Sequence, residues 1–141
     1  MSANCFIDSN VWLYLLSDDD KHKKTKAKAF LAGQPGDETF HKVISWQVMN
    51  EVCANLIRKK GKNEEFVSIA IDFLFRSCVV VDCTRAIVEK AVELRRTRSI
   101  SFWDSLIVST ALASDCKMLV SEDMQDGEVF CGSLTVRNIF G

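Results

Sequence analysis

Four carboxylates stand where acidic side chains could act together on one substrate. Asp8 directly follows an apolar run that predicts a strand, and Asp123 follows a second such run, at 117–120. Glu51 lies in the first half of a predicted helix, and Asp104 lies in the first turn of another. Carboxylates without cysteine or histidine favour a hard divalent cation, Mg²⁺ or Mn²⁺. Such a site suits phosphodiester hydrolysis, because bound cations activate water and stabilise the attacking and leaving oxygens.

Each acid also has an ordinary structural interpretation. In "SFWDSLIVSTAL", Ser101 and Asp104 have the spacing of a capping box, and Asp104 also suits the positive end of the helix dipole. Asp8 could cap the helix behind it, Glu51 could be an exposed helix residue, and Asp123 could serve a turn in "SEDMQDG". Four converging acids without a cation would repel one another and raise one another's pKa. Taken together, the four therefore favour a metal site.

Strand and helix patterns alternate along the chain. The predicted strands cover 4–8, 42–45, 78–82, 117–120 and 134–138. The predicted helices cover 9–17, 21–33, 46–61, 63–75, 84–98 and 101–112. This alternation predicts an α/β fold with a mostly parallel sheet and helices on both faces. In such sheets the functional site lies beyond the carboxyl ends of the strands, where the strand order reverses.

Several details of these elements follow from local pattern. Ser9 or Asn10 is the predicted N-cap of the first helix, and Gly61 is the predicted stop of the third. Helical spacing directs five residues of the third helix inward: Val48, Val52, Cys53, Leu56 and Ile57. Trp12, Tyr14 and the segment at 66–75 supply more large apolar side chains than a small domain hides. A homodimer or a partner-binding groove is therefore predicted.

The composition limits the class of protein. A chain of 141 residues that is 48% hydrophobic predicts one domain over 1–141, and one proline and six glycines leave no room for a linker. No apolar run reaches membrane-spanning length and no secretion signal is evident, which predicts a cytoplasmic protein without a membrane partner. Six cysteines without a C-x-x-C pair predict free, buried thiols, and His22 and His41 have no zinc-ligand spacing.

The net charge is −1, so overall charge does not indicate a nucleic-acid binder. Basic residues nevertheless cluster in three stretches, at 21–28, 58–62 and 85–98. Solvated helix faces explain each stretch alone, whereas three stretches beside isolated acids would also suit a phosphate backbone that approaches an acidic site. The residues chosen as candidate RNA contacts are Lys23, Lys24, Arg58, Lys59 and Lys60.

Four segments resemble the PIN-domain family, and specifically its VapC-like toxin ribonucleases. "FIDSNVW" resembles the opening strand with its Asp, "SWQVMNEV" the helix with its Glu, "SFWDSLIVSTAL" the helix with the third acid, and "LVSEDMQDG" the strand end with the fourth. The similarity spans nearly the whole chain in the right order. It implies a three-layer α/β/α sandwich with a central, mostly parallel sheet.

The resemblance also implies an activity, the endonucleolytic cleavage of RNA with Mg²⁺ or Mn²⁺. It implies a homodimer and a cognate antitoxin of a toxin–antitoxin pair as partner. Carried over by position, the catalytic and metal-binding acids would be Asp8, Glu51, Asp104 and Asp123, with Asn10 and Ser121 as supporting polar groups. Many members carry another Asp two residues after the fourth acid, whereas here Asp126 lies three residues after it. The spacing leaves open whether Asp126 or Glu122 joins the site.

Three other classes of protein are alternatives to the nuclease. A phospho-receiver signalling domain could use Asp82 as phosphoacceptor, but it requires paired acids after the first strand and a lysine after the last strand. Here Asp8 follows Ile7, and "KMLVSEDM" has no such lysine. A phosphatase with an aspartyl nucleophile requires an acid where Asn10 stands. A catalytically idle PIN-like binding module is the third class, and the presence of all four acids speaks against it.

Overall fold

The computed structural model describes residues 4–33 and 40–141. Its strands are β1 (Asn4–Ile7), β2 (His41–Ser45), β3 (Val79–Val81), β4 (Cys116–Val120), β5 (Val129–Phe130) and β6 (Leu134–Arg137). They form one sheet in the order β3-β2-β1-β4-β6-β5. All neighbouring pairs are parallel except β5 and β6, which are antiparallel. The mostly parallel sheet is confirmed.

The helices flank this sheet. They are α1 (Ser9–Leu16), α2 (Lys21–Ala32), α3 (Trp46–Arg58), α4 (Glu64–Ser77), α5 (Arg85–Thr97) and α6 (Phe102–Ala113). Helix α1 packs against α2 and α3, α3 packs against α4, and α5 packs against α6. The predicted layered α/β/α arrangement is therefore confirmed. None of the helices in the described ranges combines the length and the apolar character that a membrane span needs.

Strand β1 lies at the centre of the sheet and fixes the position of the site. Its residues Cys5, Phe6 and Ile7 are buried, as expected for a parallel strand that is covered on both faces. The chain places β2 and β3 on one side of β1 and β4 on the other, so the strand order reverses between β1 and β4. Ligands of open α/β sheets bind at the carboxyl ends of strands at such a reversal.

Helix α6 is buried although it contains several small polar residues. Ser105, Ser109 and Thr110 are buried, and their hydroxyls donate to the carbonyls of Phe102, Ile87 and Leu106, respectively. The Ser109 bond, at 2.7 Å, joins α6 to α5. Because each hydroxyl is paired, burial of the helix leaves none of these polar groups uncompensated.

The caps of two helices differ from the first prediction. The N-cap of α1 is Asp8 rather than Ser9 or Asn10, which confirms the alternative interpretation of Asp8 as a cap: the chain remains extended at Asp8 (φ −71°, ψ 161°) and its carboxylate accepts the Ser9 N–H. Helix α3 ends at Arg58 rather than at Gly61, which lies beyond it with a φ of +63°. The predicted helix over 21–33 is confirmed, with Gly33 as its C-cap.

Burial differs from the prediction at a few apolar residues. Ile57 is 48% exposed, because it lies on the solvent side of α3, whereas Leu56 is fully buried. Cys53 is half-buried. Trp12, predicted at a surface, is completely buried and its ring N–H donates to the Ile7 carbonyl at 3.3 Å. The short antiparallel strand β5 had no sequence prediction, because a two-residue strand carries no periodicity.

The cysteines are free, as predicted, but they are not uniformly buried. Cys5 and Cys116 lie in the core, whereas Cys83 and Cys131 are exposed. Burial raises the pKa of the Cys5 and Cys116 thiols to about 12. These two thiols are therefore protonated core groups.

Adjacent residues of α3 provide a matched test of the fold. We expect Leu56→Ala to lower the free energy of unfolding by about 2–5 kcal/mol, because it opens a cavity in the core. Ile57→Ala is the control and should cost about 0.5 kcal/mol or less, as is usual at the surface. Urea unfolding followed by circular dichroism measures both. An equal loss of unfolding free energy in the two variants would contradict the orientation of α3, in which Leu56 points into the core and Ile57 towards solvent.

Candidate active site

Asp8 is the buried centre of the site, with 5% of its surface exposed. One carboxylate oxygen, Oδ1, accepts the Ser9 backbone N–H at 2.7 Å, and Oδ2 accepts the Ser121 hydroxyl at 2.7 Å. Desolvation raises the pKa of Asp8 to about 6. The two hydrogen bonds oppose this rise, and the charges of Glu51 and Asp123 add to it.

The loop after β4 is joined to Asp8 and to α1 by small polar side chains. The Ser121 hydroxyl also accepts the Asp123 backbone N–H at 3.1 Å. The Asn10 side-chain amide donates to Asp123 Oδ2 at 3.1 Å, and its carbonyl oxygen accepts the Glu122 N–H at 3.3 Å. Asn10 and Ser121 therefore orient Asp123 relative to Asp8, as expected of polar groups that support the acids.

Glu51 is half-buried and is held from two sides. The Ser9 hydroxyl donates to Glu51 Oε2 at 2.8 Å, and the Gln47 amide donates to Oε1 at 2.9 Å. The same Gln47 nitrogen lies 3.4 Å from the Trp103 carbonyl oxygen. The sequence prediction missed Ser9 and Gln47 as site residues. The available signals were the position of Ser9 next to Asp8 and the i, i+4 spacing of Gln47 and Glu51.

Asp104 lies in the first turn of α6, and its predicted capping partner is present. The Ser101 hydroxyl accepts the Asp104 backbone N–H at 3.0 Å. Burial raises the pKa of the Asp104 carboxyl, the charge of Asp123 and then that of Glu51 contribute, and a hydrogen bond with Ser101 opposes them. Asp104 therefore lies in a capped first turn and also belongs to the group of acids.

Asp104 and Asp123 face a common open space, which we term the acid cavity. Its volume is about 730 Å³, and its lining includes Ser101, Asp104, Asp123, Gln125 and Asp126. Asp126 is exposed, and its Oδ1 accepts the Asn138 N–H at 2.8 Å. Glu122 instead accepts the Tyr14 hydroxyl at 2.6 Å and forms an ion pair with Lys23. Of these two acids, only Asp126 lines the acid cavity.

The charges of Glu51 and Asp123 raise the pKa of both Asp8 and Asp104, and a network of hydrogen bonds connects Glu51, Asp8 and Asp123. The network leads from Glu51 through Ser9 to Asp8, and through Ser121 to Asp123. Within residues 4–33 and 40–141, no three His, Cys, Asp or Glu side chains lie close enough together to ligate a single ion. The donors are nevertheless all oxygen. Because Mg²⁺ is usually bound through one or two carboxylates while it keeps several waters, this donor set fits it.

The basic candidates are partly engaged within the chain. Lys24 pairs with Asp18 at 2.7 Å, Lys60 pairs with Asp19, and Lys23 pairs with Glu122. Arg58 and Lys59 are exposed at the end of α3. The role of these five residues in RNA binding stays a prediction. A further space of about 610 Å³, whose lining includes Arg95 and Arg96, shares residues 99–101 with the acid cavity.

Asp82, the alternative phosphoacceptor, lies apart from the acids. It is exposed and follows the edge strand β3, two strands away from β1. At about 4.8 Å per strand, this position is about 10 Å from the end of β1. The cap of α5 is Thr84, whose hydroxyl accepts the Ile87 N–H at 3.3 Å. The structure thus does not bring Asp82 together with Asp8.

The raised pKa of Asp8 predicts a pH-dependent stability. Ionisation of Asp8 costs the folded state free energy above about pH 6 but not below its ordinary pKa of 3.8. The free energy of unfolding should therefore fall as the pH rises through this interval. An increase of the pKa from 3.8 to about 6 corresponds to at most about 3 kcal/mol.

Asp8→Asn should remove this cost. In EDTA at pH 7 we expect the variant to unfold at higher urea concentration than the parent chain, and at pH 4 the difference should shrink. Asp82→Asn is the control, because its exposed position predicts a change within about 0.5 kcal/mol. Destabilisation by Asp8→Asn at pH 7 would contradict the assignment of a costly buried charge.

Comparison with solved structures finds chains of the same fold. A toxin–antitoxin complex from Klebsiella pneumoniae is 21% identical and matches with a TM-score of 0.68 over 96% of this chain and 97% of that chain. VapC20 of Mycobacterium tuberculosis, a toxin that cleaves the sarcin-ricin loop, is 20% identical, with a TM-score of 0.65 over 82% and 86% of the two chains. VapBC2 from Rickettsia felis, bound to a promoter DNA fragment, is 17% identical, with a TM-score of 0.66 over 96% and 99%.

The TM-scores show a common fold, and at identities of 17–21% the matches show the fold alone. A comparison with curated proteins found no match. The model of the PIN domain family matches residues 5–125, which include all four acids. Since this match covers most of the sequence and the strand order and layers agree with it, the chain belongs to the PIN domain family.

Proposed function

We propose that this chain is a metal-dependent endoribonuclease that hydrolyses RNA phosphodiester bonds. The observation that carries the proposal is the hydrogen-bonded group of acids at the strand-order reversal between β1 and β4. Buried and crowded carboxylates cost stability, and a structural role for each acid alone does not explain why Glu51 and Asp123 lie close enough to raise the pKa of both Asp8 and Asp104. Perturbed acids in a cleft are typical of functional sites.

Family and neighbours support RNA as the substrate class. The chain belongs to the PIN domain family, and one structural relative is a toxin that cleaves the sarcin-ricin loop. Other relatives are toxin–antitoxin complexes, which supports a proposed role as the toxin of such a pair. Localisation in the cytoplasm, where its RNA substrate would be found, is part of the same proposal.

Mg²⁺ or Mn²⁺ is the proposed cofactor, and it would bind among Asp8, Glu51, Asp104 and Asp123, with one or two of these carboxylates as direct ligands and water as the remaining ligands. When bound, such a cation would supply Lewis-acid stabilisation of the charge that develops on the phosphate oxygens and would lower the pKa of water. The carboxylates suit this role, because a cation nearby favours their ionised form and so offsets the raised pKa of Asp8 and Asp104.

The neighbouring polar residues orient the acids before substrate arrives. Ser121 contacts both Asp8 and the backbone of Asp123, so one hydroxyl fixes two acids. Ser9 performs the equivalent role between the α1 N-terminus and Glu51. Fixed oxygens lose little freedom when a ligand binds, and preorganisation of this kind is worth most at sites that stabilise developing charge.

An exposed apolar face of α4 is the proposed partner surface. Ile69 and Phe73, which are four residues apart and therefore on the same side of the helix, are 64% and 39% exposed, respectively. The sequence prediction of a dimer or a partner groove at 66–75 is compatible with this exposure, although the predicted contributor Trp12 is buried. We propose that a second copy of the chain or a cognate antitoxin covers this face.

The chemistry predicts specific cleavage products. We expect 5′-phosphate and 3′-hydroxyl ends, because neither histidine lines the acid cavity to support attack by the ribose 2′-hydroxyl. EDTA should stop cleavage, and Asp123→Asn should lower the rate by about 100-fold or more while the unfolding temperature changes little. Asp82→Asn is the matched control with parental activity. Cyclic 2′,3′-phosphate ends on labelled fragments, or full activity in EDTA, would contradict the mechanism.

Cation binding should also stabilise the folded chain independently of activity. At a free Mg²⁺ or Mn²⁺ concentration 100-fold above Kd, the free energy of unfolding should rise by about 2.7 kcal/mol. Asp104→Asn should reduce this gain, whereas Asp82→Asn should retain it. Denaturant unfolding with and without the cation measures the effect. An equal gain in the Asp104→Asn variant would place the cation elsewhere.

A further inference from the structure

A second concave surface lies on the other side of the α6 N-terminus from the acid cavity. We term it the indole cleft. Its volume is about 610 Å³, and its principal lining residues are Trp46, Gln47, Asn50, Glu51, Trp103 and Leu106. Residues of α3 and α6 form most of its walls. Glu51 belongs both to this cleft and to the acid group, so the cleft adjoins the proposed site of cleavage.

Both indole rings of the cleft are exposed, yet each packs against another ring. Trp46 is 42% exposed and lies edge-on to Phe75, with ring centroids 5.6 Å apart. Trp103 is 64% exposed and lies edge-on to Phe102, also with centroids 5.6 Å apart. Edge-to-face packing restricts the rings without covering their faces. Two restricted, exposed indoles beside one cavity make a preformed stacking surface.

We propose that the indole cleft binds an unstacked nucleobase of the RNA strand that the four acids cut. This proposal rests on the proposed function. It places a base adjacent to the cleaved phosphate in the indole cleft. Proteins that recognise single-stranded RNA stack its bases on aromatic side chains, largely independently of sequence. The carboxylate of Glu51 and the amides of Gln47 and Asn50 add polar groups that base edges can contact.

The shape and charge of the cleft favour a base over a protein segment. The cleft, at about 610 Å³, falls within the range of about 300–1,000 Å³ that is usual for small-ligand pockets. A stable protein interface instead spreads over about 800 Å² of each partner, which is far more surface than one such cleft offers. An apolar protein segment in the cleft would also remove water from the Asn50 amide and the Glu51 carboxylate without giving either a new polar partner, which is costly. A base edge carries N–H donors that can pair with it.

The cleft is physically connected to the acids. The Gln47 amide donates to Glu51 at 2.9 Å and lies 3.4 Å from the Trp103 carbonyl oxygen. Asp104 is the next residue after Trp103 and lines the acid cavity. Stacking of a base on these indoles would therefore restrict the position of the neighbouring phosphate relative to Asp104 and Glu51. Positioning of this kind lowers the entropic cost of the reaction.

The test measures binding separately from cleavage. All variants carry Asp8→Asn, and each binds a labelled single-stranded RNA in Mg²⁺, either intact or with one abasic site moved along the strand. Trp103→Ala should weaken binding of the intact RNA by about 5- to 150-fold in Kd, the equivalent of about 1–3 kcal/mol per stacked base. Trp103→Phe should retain most of the affinity, and Trp46→Ala tests the opposite wall.

The abasic scan identifies the base itself. With Trp103 present, one abasic position should weaken binding, and in Trp103→Ala the same position should have a smaller effect, because only Trp46 is left to stack on the base. Val92→Ala, a change of an exposed apolar residue on α5 outside the cleft, should leave Kd unchanged. Thermal unfolding and sedimentation of each variant accompany the binding data.

Three results would overturn the proposal. The first is unchanged RNA binding in both tryptophan variants while the parent chain cleaves RNA, which leaves the proposed function intact. The second is a loss of self-association without a loss of RNA affinity, which would assign the cleft to a second copy of the chain. The third is a parent chain that neither binds nor cleaves RNA, which would reject the proposed function as well.

Discussion

The burial of the Asp8 carboxylate is the constraint on which the arrangement of this site depends. A buried charge is tolerated only when its oxygens are hydrogen-bonded or paired. Here the donors are the Ser9 amide and the Ser121 hydroxyl, and they come from opposite sides of the strand-order reversal. Satisfying Asp8 therefore fixes the start of α1 relative to the loop after β4, and with them Glu51 and Asp123.

Burial also explains why Asp8 and Asp104 have a raised pKa. Neutral donors stabilise a carboxylate less than a cation does, so desolvation dominates at Asp8. Asp104 shows the same direction, with burial as the largest cause and the charge of Asp123 as the next. The folded chain thus holds excess negative charge at the carboxyl edge of the sheet. We propose that a divalent cation compensates this charge and thereby allows the negatively charged RNA phosphate to approach the acids.

Local sequence patterns predicted the acids and the elements that carry them, because both depend on short-range chemistry. An apolar run ending in Asp8, and a Ser101–Asp104 spacing ahead of an apolar helix, are visible within a few residues. The sequence did not predict the Ser9–Glu51 or the Lys23–Glu122 contact, since each joins residues far apart in the chain. Nor did it predict the exposure of Ile57, which depends on how α3 is rotated against its neighbours.

The central claim is that the four acids form one divalent-cation site, and anomalous scattering from Mn²⁺ in crystals of this chain tests it most directly. The crystals would be soaked at a Mn²⁺ concentration that supports RNA cleavage. The account predicts an anomalous peak among the carboxylates of Asp8, Glu51, Asp104 and Asp123, and a weaker peak in Asp8→Asn crystals. A peak elsewhere, with none among these acids, would contradict it.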